Sequence, residues 1–166
     1  MLLISDKELS PLVLELNELL KDKELTISTA ESCTGGLIAA LLTWAAGSSA
    51  FFHGGITSYS NEAKIKLLSV PPGLIEKHGA VSEEVVTAMV NGCAGALASN
   101  CSIAVTGIAG PGGGTTEKPV GTVWVGLKVD QKTWTRKLQL SGDRTEIRSN
   151  TARLSLDELL RYLRNY

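Results

Sequence analysis

Hydrophobic positions recur at two periods along this chain, and segments of the two kinds alternate. Leu9, Leu12, Val13, Leu16, Leu19 and Leu20 follow helical spacing, and Ser5-Asp6-Lys7-Glu8 before them has the S-x-x-E form of a capping box, which predicts a helix to about Lys21. Asp22-Lys23-Glu24 turns the chain into an apolar strand, Leu25 to Ser28, and Leu37 to Trp44 carries the alanines and leucines of a buried helix that ends near Gly47. Phe51 to Tyr59 is aromatic and β-branched with Gly54-Gly55 inside it, the pattern of a strand with a bulge or a close backbone approach. Asn61 is placed to cap a short helix holding Lys64 and Leu67, and Pro71-Pro72-Gly73 separates it from another short helix, about Leu74 to Lys77. Ser82-Glu83-Glu84 then opens a helix with Val85, Val86, Met89, Val90 and Leu97 on one face.

Cys101 to Thr106 reads as a fully buried strand, Val120 to Val129 and Thr133 to Leu140 as two paired strands around an Asp130-Gln131-Lys132 turn, and Asp143 to Tyr166 as a charged amphipathic helix. Strands alternating with helices and then a hairpin predict an α/β fold. The form expected is a three-layer α/β/α sandwich with a mixed, mainly parallel sheet containing at least one antiparallel strand, built as one domain over residues 1–166.

Composition narrows the function classes. Lys+Arg at 16 against Asp+Glu at 17 leaves a net charge of -1, with no basic field to recruit nucleic acid or an anionic membrane. The apolar runs are broken well short of the roughly 20 residues that span a bilayer, and the start lacks a secretory pattern, so a cytoplasmic protein acting on a small molecule is expected. Cys33, Cys93 and Cys101 form no C-x-x-C pair and are accompanied only by His53 and His78, so neither a metal nor another cofactor is expected. Apolar, exposed-looking helices make a homo-oligomer plausible.

The chemistry concentrates in three places. In Thr29-Ala30-Glu31-Ser32-Cys33-Thr34-Gly35-Gly36, a strand ending near Ala30 and a helix starting near Thr34 would put Ser32 on the connecting turn, with the N–H groups of Cys33, Thr34, Gly35 and Gly36 available to an anion or oxyanion. The same residues also suit a plain helix cap. Ser32 has no G-x-S-x-G or S-x-x-K context and no histidine partner nearby, so its best candidate base is Lys64, with Tyr59 beside it at a strand end. Proximity to a helix N-terminus and burial would both lower the lysine pKa. The loop from Gly107 to Gly114, with Gly110, Gly112 and Gly113, follows a buried strand and can offer bare N–H groups to a ligand, Thr106 adding a hydroxyl. It is neither a P-loop nor a Rossmann fingerprint. Arg144 and Arg148, one helical turn apart, form either a phosphate clamp or a solvated face.

Taken together, Ala30-Glu31-Ser32-Cys33-Thr34-Gly35-Gly36, Gly47-Ser48-Ser49, Gly54-Gly55, Tyr59-Ser60-Asn61-x-x-Lys64, His78-Gly79-Ala80-Val81-Ser82, Thr106 to Pro111, Lys118 to Thr122 and Gly142-Asp143-Arg144 resemble the CinA C-terminal domain family, the stand-alone nicotinamide-nucleotide amidohydrolases. The likeness runs in order along nearly the whole chain. It departs at Ala45-Ala46, where the family usually has a proline, and at Phe51-Phe52, where a tyrosine-containing pair is more usual; the larger N-terminal domain of many CinA proteins is not seen. The resemblance implies an α/β/α fold and hydrolysis of nicotinamide mononucleotide to nicotinate mononucleotide and ammonia, with Ser32 as nucleophile and Lys64 and Tyr59 as base and proton relay. Two other readings keep the same pocket: a catalytically silent nucleotide-binding module, and a serine hydrolase of another amide or ester.

Overall fold

The computed structural model describes residues 6–166. Among them, six α-helices and five strands follow in the order α1 (Asp6–Asp22), β1 (Ile27–Glu31), α2 (Leu37–Leu42), β2 (Phe52–Thr57), α3 (Asn61–Leu68), α4 (Pro72–His78), α5 (Glu83–Leu97), β3 (Cys101–Gly107), β4 (Thr122–Val129), β5 (Lys132–Gln139) and α6 (Arg144–Leu163). The strands form one sheet in the order β2-β1-β3-β4-β5. β1 lies parallel to both β2 and β3, and β4 is antiparallel to both β3 and β5, so β4 alone runs against the other four. This is the mixed sheet that alternating crossovers followed by a hairpin require.

Helices cover both faces. On one, Leu16 and Leu20 of α1, Ile38 and Leu42 of α2, and Leu156 and Leu159 of α6 pack against Ile27, Ile103, Val105 and Val125 of the sheet. On the other, Leu68, Val85, Val86, Met89 and Val90 pack against Ala30 and Ala104. The sheet therefore splits by strand periodicity, with bulky residues toward α1, α2 and α6 and small or polar ones toward α5. Ser102 is buried on the α5 side, where its hydroxyl donates to the Val90 carbonyl at 2.7 Å. At Gly126 a Cβ would stand 3.1 Å from the Val86 carbonyl oxygen, so α5 approaches the sheet at backbone distance.

Several boundaries differ from those the sequence suggests, each for a local reason. β1 runs to Glu31, and α2 begins at Leu37 rather than near Thr34, because Gly35 and Gly36 take left-handed φ values of 64° and 98° and form a loop ahead of the helix. α2 also stops at Leu42, and Gly47 leads into a short 3-10 turn at Ser48–Ala50 instead of ending the helix. Ser60, not Asn61, caps α3: its hydroxyl accepts the Ala63 N–H at 3.1 Å, which places Asn61 at the first helical position. α4 starts at Pro72, using proline's preset φ at a helix start, and Lys132 belongs to β5, leaving Asp130-Gln131 as a two-residue turn. The bulge falls at His53, since Ile27 pairs with Phe52 and Ser28 with Gly54. The Ser5 cap lies outside the described residues.

Two glycines of α5 give a paired prediction. At Gly92 an added Cβ would come within 1.9 Å of the Leu68 carbonyl oxygen, whereas at Gly95 it would meet nothing within 4 Å. Gly95→Ala should raise stability by about 0.5–1 kcal/mol, the helix-propensity gain. Gly92→Ala should lower it by about 1–3 kcal/mol, because overpacking outweighs that gain. Urea unfolding of the two variants, read as a midpoint shift in opposite directions, checks both.

Candidate active site

The first three strands of the sheet carry the site at their carboxyl ends. The β1–β2 crossover passes over one face through α2 and the β2–β3 crossover over the other through α3 to α5, which makes β1 the point where the strand order reverses. In open α/β sheets the crevice at such a point is where ligands bind. Ser32 follows β1, Ser58 and Tyr59 follow β2, and Thr106 and Gly107 end β3. The sheet fixes two of these directly: the Ser32 N–H donates to the Val105 carbonyl at 3.1 Å and the Ser58 N–H to the Glu31 carbonyl at 2.8 Å.

Glu31 organises the turn that follows. Its carboxylate is 1% exposed and accepts four donors: the Thr34 hydroxyl at 2.6 Å and the N–H groups of Gly36 at 3.0 Å, Ile38 at 3.0 Å and Ala39 at 2.8 Å. An anion is thus already bound at the start of α2, and it is the protein's own. The Gly35 N–H is used as well, donating to the Ser32 carbonyl at 3.1 Å and closing a four-residue turn. Cys33 and Thr34 are the central residues of that turn, and among the described residues their N–H groups donate to nothing else. Of the N–H groups from Cys33 to Gly36, only those two are left unpaired among the described residues.

Lys64 reaches this turn from α3. It is 1% exposed, and its Nζ donates to Ser32 Oγ at 3.0 Å and to the Ser58 carbonyl at 2.8 Å. Burial pushes its pKa below the ordinary lysine value, since desolvation disfavours the ammonium. Burial also pushes the Cys33 thiol up to about 12, so Cys33 stays protonated near neutral pH and is inert as a nucleophile.

A cavity of about 230 Å³ opens over this pair, bringing Ser32, Cys33, Tyr59, Lys64, Thr106, Gly107 and Arg144 together. Asn61, Ala80, Val81 and Ala109 complete its wall; each lies inside one of the collinear motifs, but none carries a site role in the sequence reading. Tyr59 stands at the mouth, 59% exposed, and its hydroxyl accepts from Arg144 Nη2 at 2.9 Å. Arg144 Nη1 donates to the Gly110 carbonyl at 2.7 Å, tying the glycine loop to the start of α6. Thr34, Gly35, Gly36, Gly110, Gly112 and Gly113 do not line the cavity. Nor does Arg148, whose Nη2 donates to the Thr34 carbonyl at 2.8 Å. The two arginines, one turn apart, therefore serve different places: Arg144 faces the cavity, and Arg148 grips the turn from behind.

A buried serine held by a buried lysine, at the carboxyl ends of parallel strands, coincides with the motifs of one known family. The pattern of the CinA C-terminal domain matches residues 9–163. The chain belongs to the CinA C-terminal domain family. Its relatives include the nicotinamide-nucleotide amidohydrolase PncC of Enterobacter agglomerans, 48% identical over 95% of this chain and 97% of that protein. A CinA-like protein of Kosmotoga olearia is 48% identical over 96% of this chain but only 38% of its own length. The chain spans between a third and two fifths of the length of four CinA-like relatives that it matches. The crystal structure of a competence/damage inducible protein from Agrobacterium tumefaciens superposes with a TM-score of 0.90 at 40% identity, over 92% of this chain and 94% of that one. A CinA superfamily protein from Escherichia coli gives 0.91 at 33% identity, over 96% and 92%.

Within this CinA fold Glu31 is the residue that no catalytic motif logic would select, because an acid beside a helix start reads as a dipole-compensating side chain. Its replacement should show how far the turn depends on it. Glu31→Gln keeps the shape but offers one acceptor oxygen where two serve four donors, and it should cost about 1.5–3 kcal/mol of stability. Thermal unfolding against wild type measures this, and an unchanged Tm would mean that the turn holds itself.

Proposed function

We propose that the protein is a metal-independent amidohydrolase that converts nicotinamide mononucleotide to nicotinate mononucleotide and ammonia. The observation that carries the reading is the buried 3.0 Å contact between Lys64 Nζ and Ser32 Oγ at the wall of the cavity. The near full-length likeness to a nicotinamide-nucleotide amidohydrolase supports the substrate.

The reaction follows from the donor and acceptor inventory. Neutral Lys64 has one lone pair and two N–H bonds. With one N–H on the Ser58 carbonyl, the lone pair accepts the Ser32 proton as Oγ bonds to the carboxamide carbon. The carbonyl oxygen becomes an oxyanion facing the Cys33 and Thr34 N–H groups. Collapse breaks the C–N bond, the Lys64 proton passes to the leaving nitrogen with Tyr59 assisting, and ammonia departs from an ester of Ser32. Water then adds to that ester, giving its proton to Lys64, and the second collapse returns a proton to Ser32 Oγ and frees the carboxylate. At the nucleotide end, Arg144 and the glycine loop that it holds offer donors to the phosphate, while Arg148 keeps the Thr34 peptide in place.

Ammonia release measured over nicotinamide mononucleotide, nicotinamide and simple amides tests the substrate. Release from the nucleotide far above the rest is expected; none from any of them would leave a binding module. Ser32→Ala and Lys64→Ala should each lower kcat by at least about a thousandfold, and the double variant should be hardly worse than either, since the two act as one proton-transfer unit. A Ser32→Ala protein turning over near the wild-type rate would remove the mechanism. Activity requires the neutral amine, so kcat/KM should rise with pH along its acidic limb, and the midpoint should lie below the ordinary lysine value of about 10.4.

The arginines should separate kinetically. Arg144→Ala removes a charged donor from the substrate and should raise KM on the order of ten- to a hundredfold. Arg148→Ala loosens the turn that carries the nucleophile and should act mainly on kcat. Steady-state kinetics that found both variants changed only in KM would return Arg148 to the phosphate.

A further inference from the structure

The side chains of Arg144, Tyr59 and Lys64 bring donors to the cavity. Arg144 carries only N–H groups, and Tyr59, whose hydroxyl oxygen accepts from Arg144, has its own proton left to give. In the resting contact Lys64 donates to the Ser32 oxygen, and as the neutral amine it keeps N–H bonds while its lone pair faces Ser32; Asn61 is exposed at the rim. Besides Ser32, whose oxygen is the proposed nucleophile, Thr106 is the buried side chain that turns an oxygen acceptor to the cavity. It is 1% exposed, lines the cavity beside Ser32, and donates its single hydroxyl proton to the Ala80 carbonyl at 2.8 Å. That carbonyl is itself pinned, because Lys118 Nζ donates to the carbonyls on either side of it, His78 at 2.6 Å and Val81 at 2.8 Å. With its proton committed to a fixed acceptor, the Thr106 oxygen can present only lone pairs to whatever fills the cavity.

We propose that Thr106 is a specificity-determining residue that selects a primary carboxamide by accepting one of its N–H bonds, with Lys118 positioning the loop that keeps Thr106 in its accepting state. The inference rests on the amidohydrolase reading above and adds how the site tells an amide from an acid or ester. A –CO–NH2 group brings two N–H donors, one of which Thr106 takes. A carboxylate brings only acceptors and would oppose its lone pairs to those of Thr106, so the product is expelled rather than held. An ester of the same nucleotide fits the same space without satisfying the threonine. Sites built to bond a substrate N–H reject analogues lacking it more strongly than sites built on shape alone.

The test compares the amide with the methyl ester of nicotinate mononucleotide, following ammonia and methanol release in wild type, Thr106→Val, Thr106→Ser and Lys118→Met. Thr106→Val should lower kcat/KM for the amide on the order of tenfold or more while leaving the ester nearly unchanged, and it should tighten competitive inhibition by nicotinate mononucleotide. Thr106→Ser keeps the oxygen and should keep the wild-type amide-to-ester ratio. Lys118→Met frees the Ala80 loop and should lower that ratio part of the way, and because it lies outside the sheet it carries the comparison alone if valine at 106 prevents folding. An amide-to-ester ratio that stays at the wild-type value in Thr106→Val, or in Lys118→Met where that variant stands alone, would overturn the inference. Wild-type protein that releases no ammonia from the nucleotide would instead count against the substrate reading, a separate outcome read from the unmutated chain.

Discussion

The structure turns on the carboxylate of Glu31. A buried strand end followed closely by a partly buried helix start leaves several N–H groups with no backbone partner, each a cost of about 1–3 kcal/mol where it is buried and unmet. Glu31 meets three of them and a hydroxyl with one side chain. The charge is acceptable in the interior because the donors it collects are the positive end of a helix, the setting in which a buried carboxylate is best compensated. Once the helix start is closed in this way, the residues between strand and helix can be short, tight and strained. Gly35 and Gly36 supply the left-handed conformations that the turn demands, and Ser32, Cys33 and Thr34 are carried on its outer edge.

From that turn the site follows by attachment. Ser32 hangs from β3 through its N–H, Ser58 from β1 through its own, and Thr34 is held in front by Glu31 and behind by Arg148. Few degrees of freedom remain, so the N–H groups of Cys33 and Thr34 keep fixed directions without a ligand, as their proposed oxyanion role requires. Donors that need no reorganisation during reaction are the ones that contribute most to stabilising a developing charge. The same logic explains why α3 carries the lysine: its N-cap, Ser60, lies two residues past the Ser58 carbonyl that Lys64 must reach, so one short helix sets both ends of the contact.

Much of the architecture is legible in the sequence because it rests on local rules. Helical spacing in α1 and α5, the Ser82 cap, the β3 run and the two-strand hairpin each follow from residues that are neighbours in the chain. The collinear motifs carry the family in the same way. What escaped was set by partners distant in sequence or by which of two adjacent groups wins. Ser60 and Asn61 are both good caps, and only the backbone decides that Ser60 takes the role. α2 starts late because Glu31, five residues before Gly36, satisfies its donors, a bond that spacing alone cannot reveal. Arg144 and Arg148 share a helix face by count, yet one meets a loop 34 residues away and the other a turn 114 residues away. Ala80 and Val81 lie inside a quoted motif, but with no polar group of their own nothing local assigns them to a cavity wall.

Glu31 and Lys64 also explain each other. They flank the same serine, and a carboxylate paired with the ammonium would hold the lysine protonated and useless as a base. No such pair exists among the described residues: the Glu31 oxygens are taken by four donors, and the partners of Lys64 are a hydroxyl and a carbonyl. Neither of these can stabilise the ammonium as a carboxylate would, so burial dominates and the amine's pKa falls. In the folded protein Lys64 binds a proton less readily than in the unfolded chain, so between its lowered pKa and the ordinary value stability rises with pH. The fold thus works against protonation of the amine that the proposal makes the base. The helix start that absorbs the negative charge of Glu31 is therefore what leaves the neighbouring lysine free to be neutral.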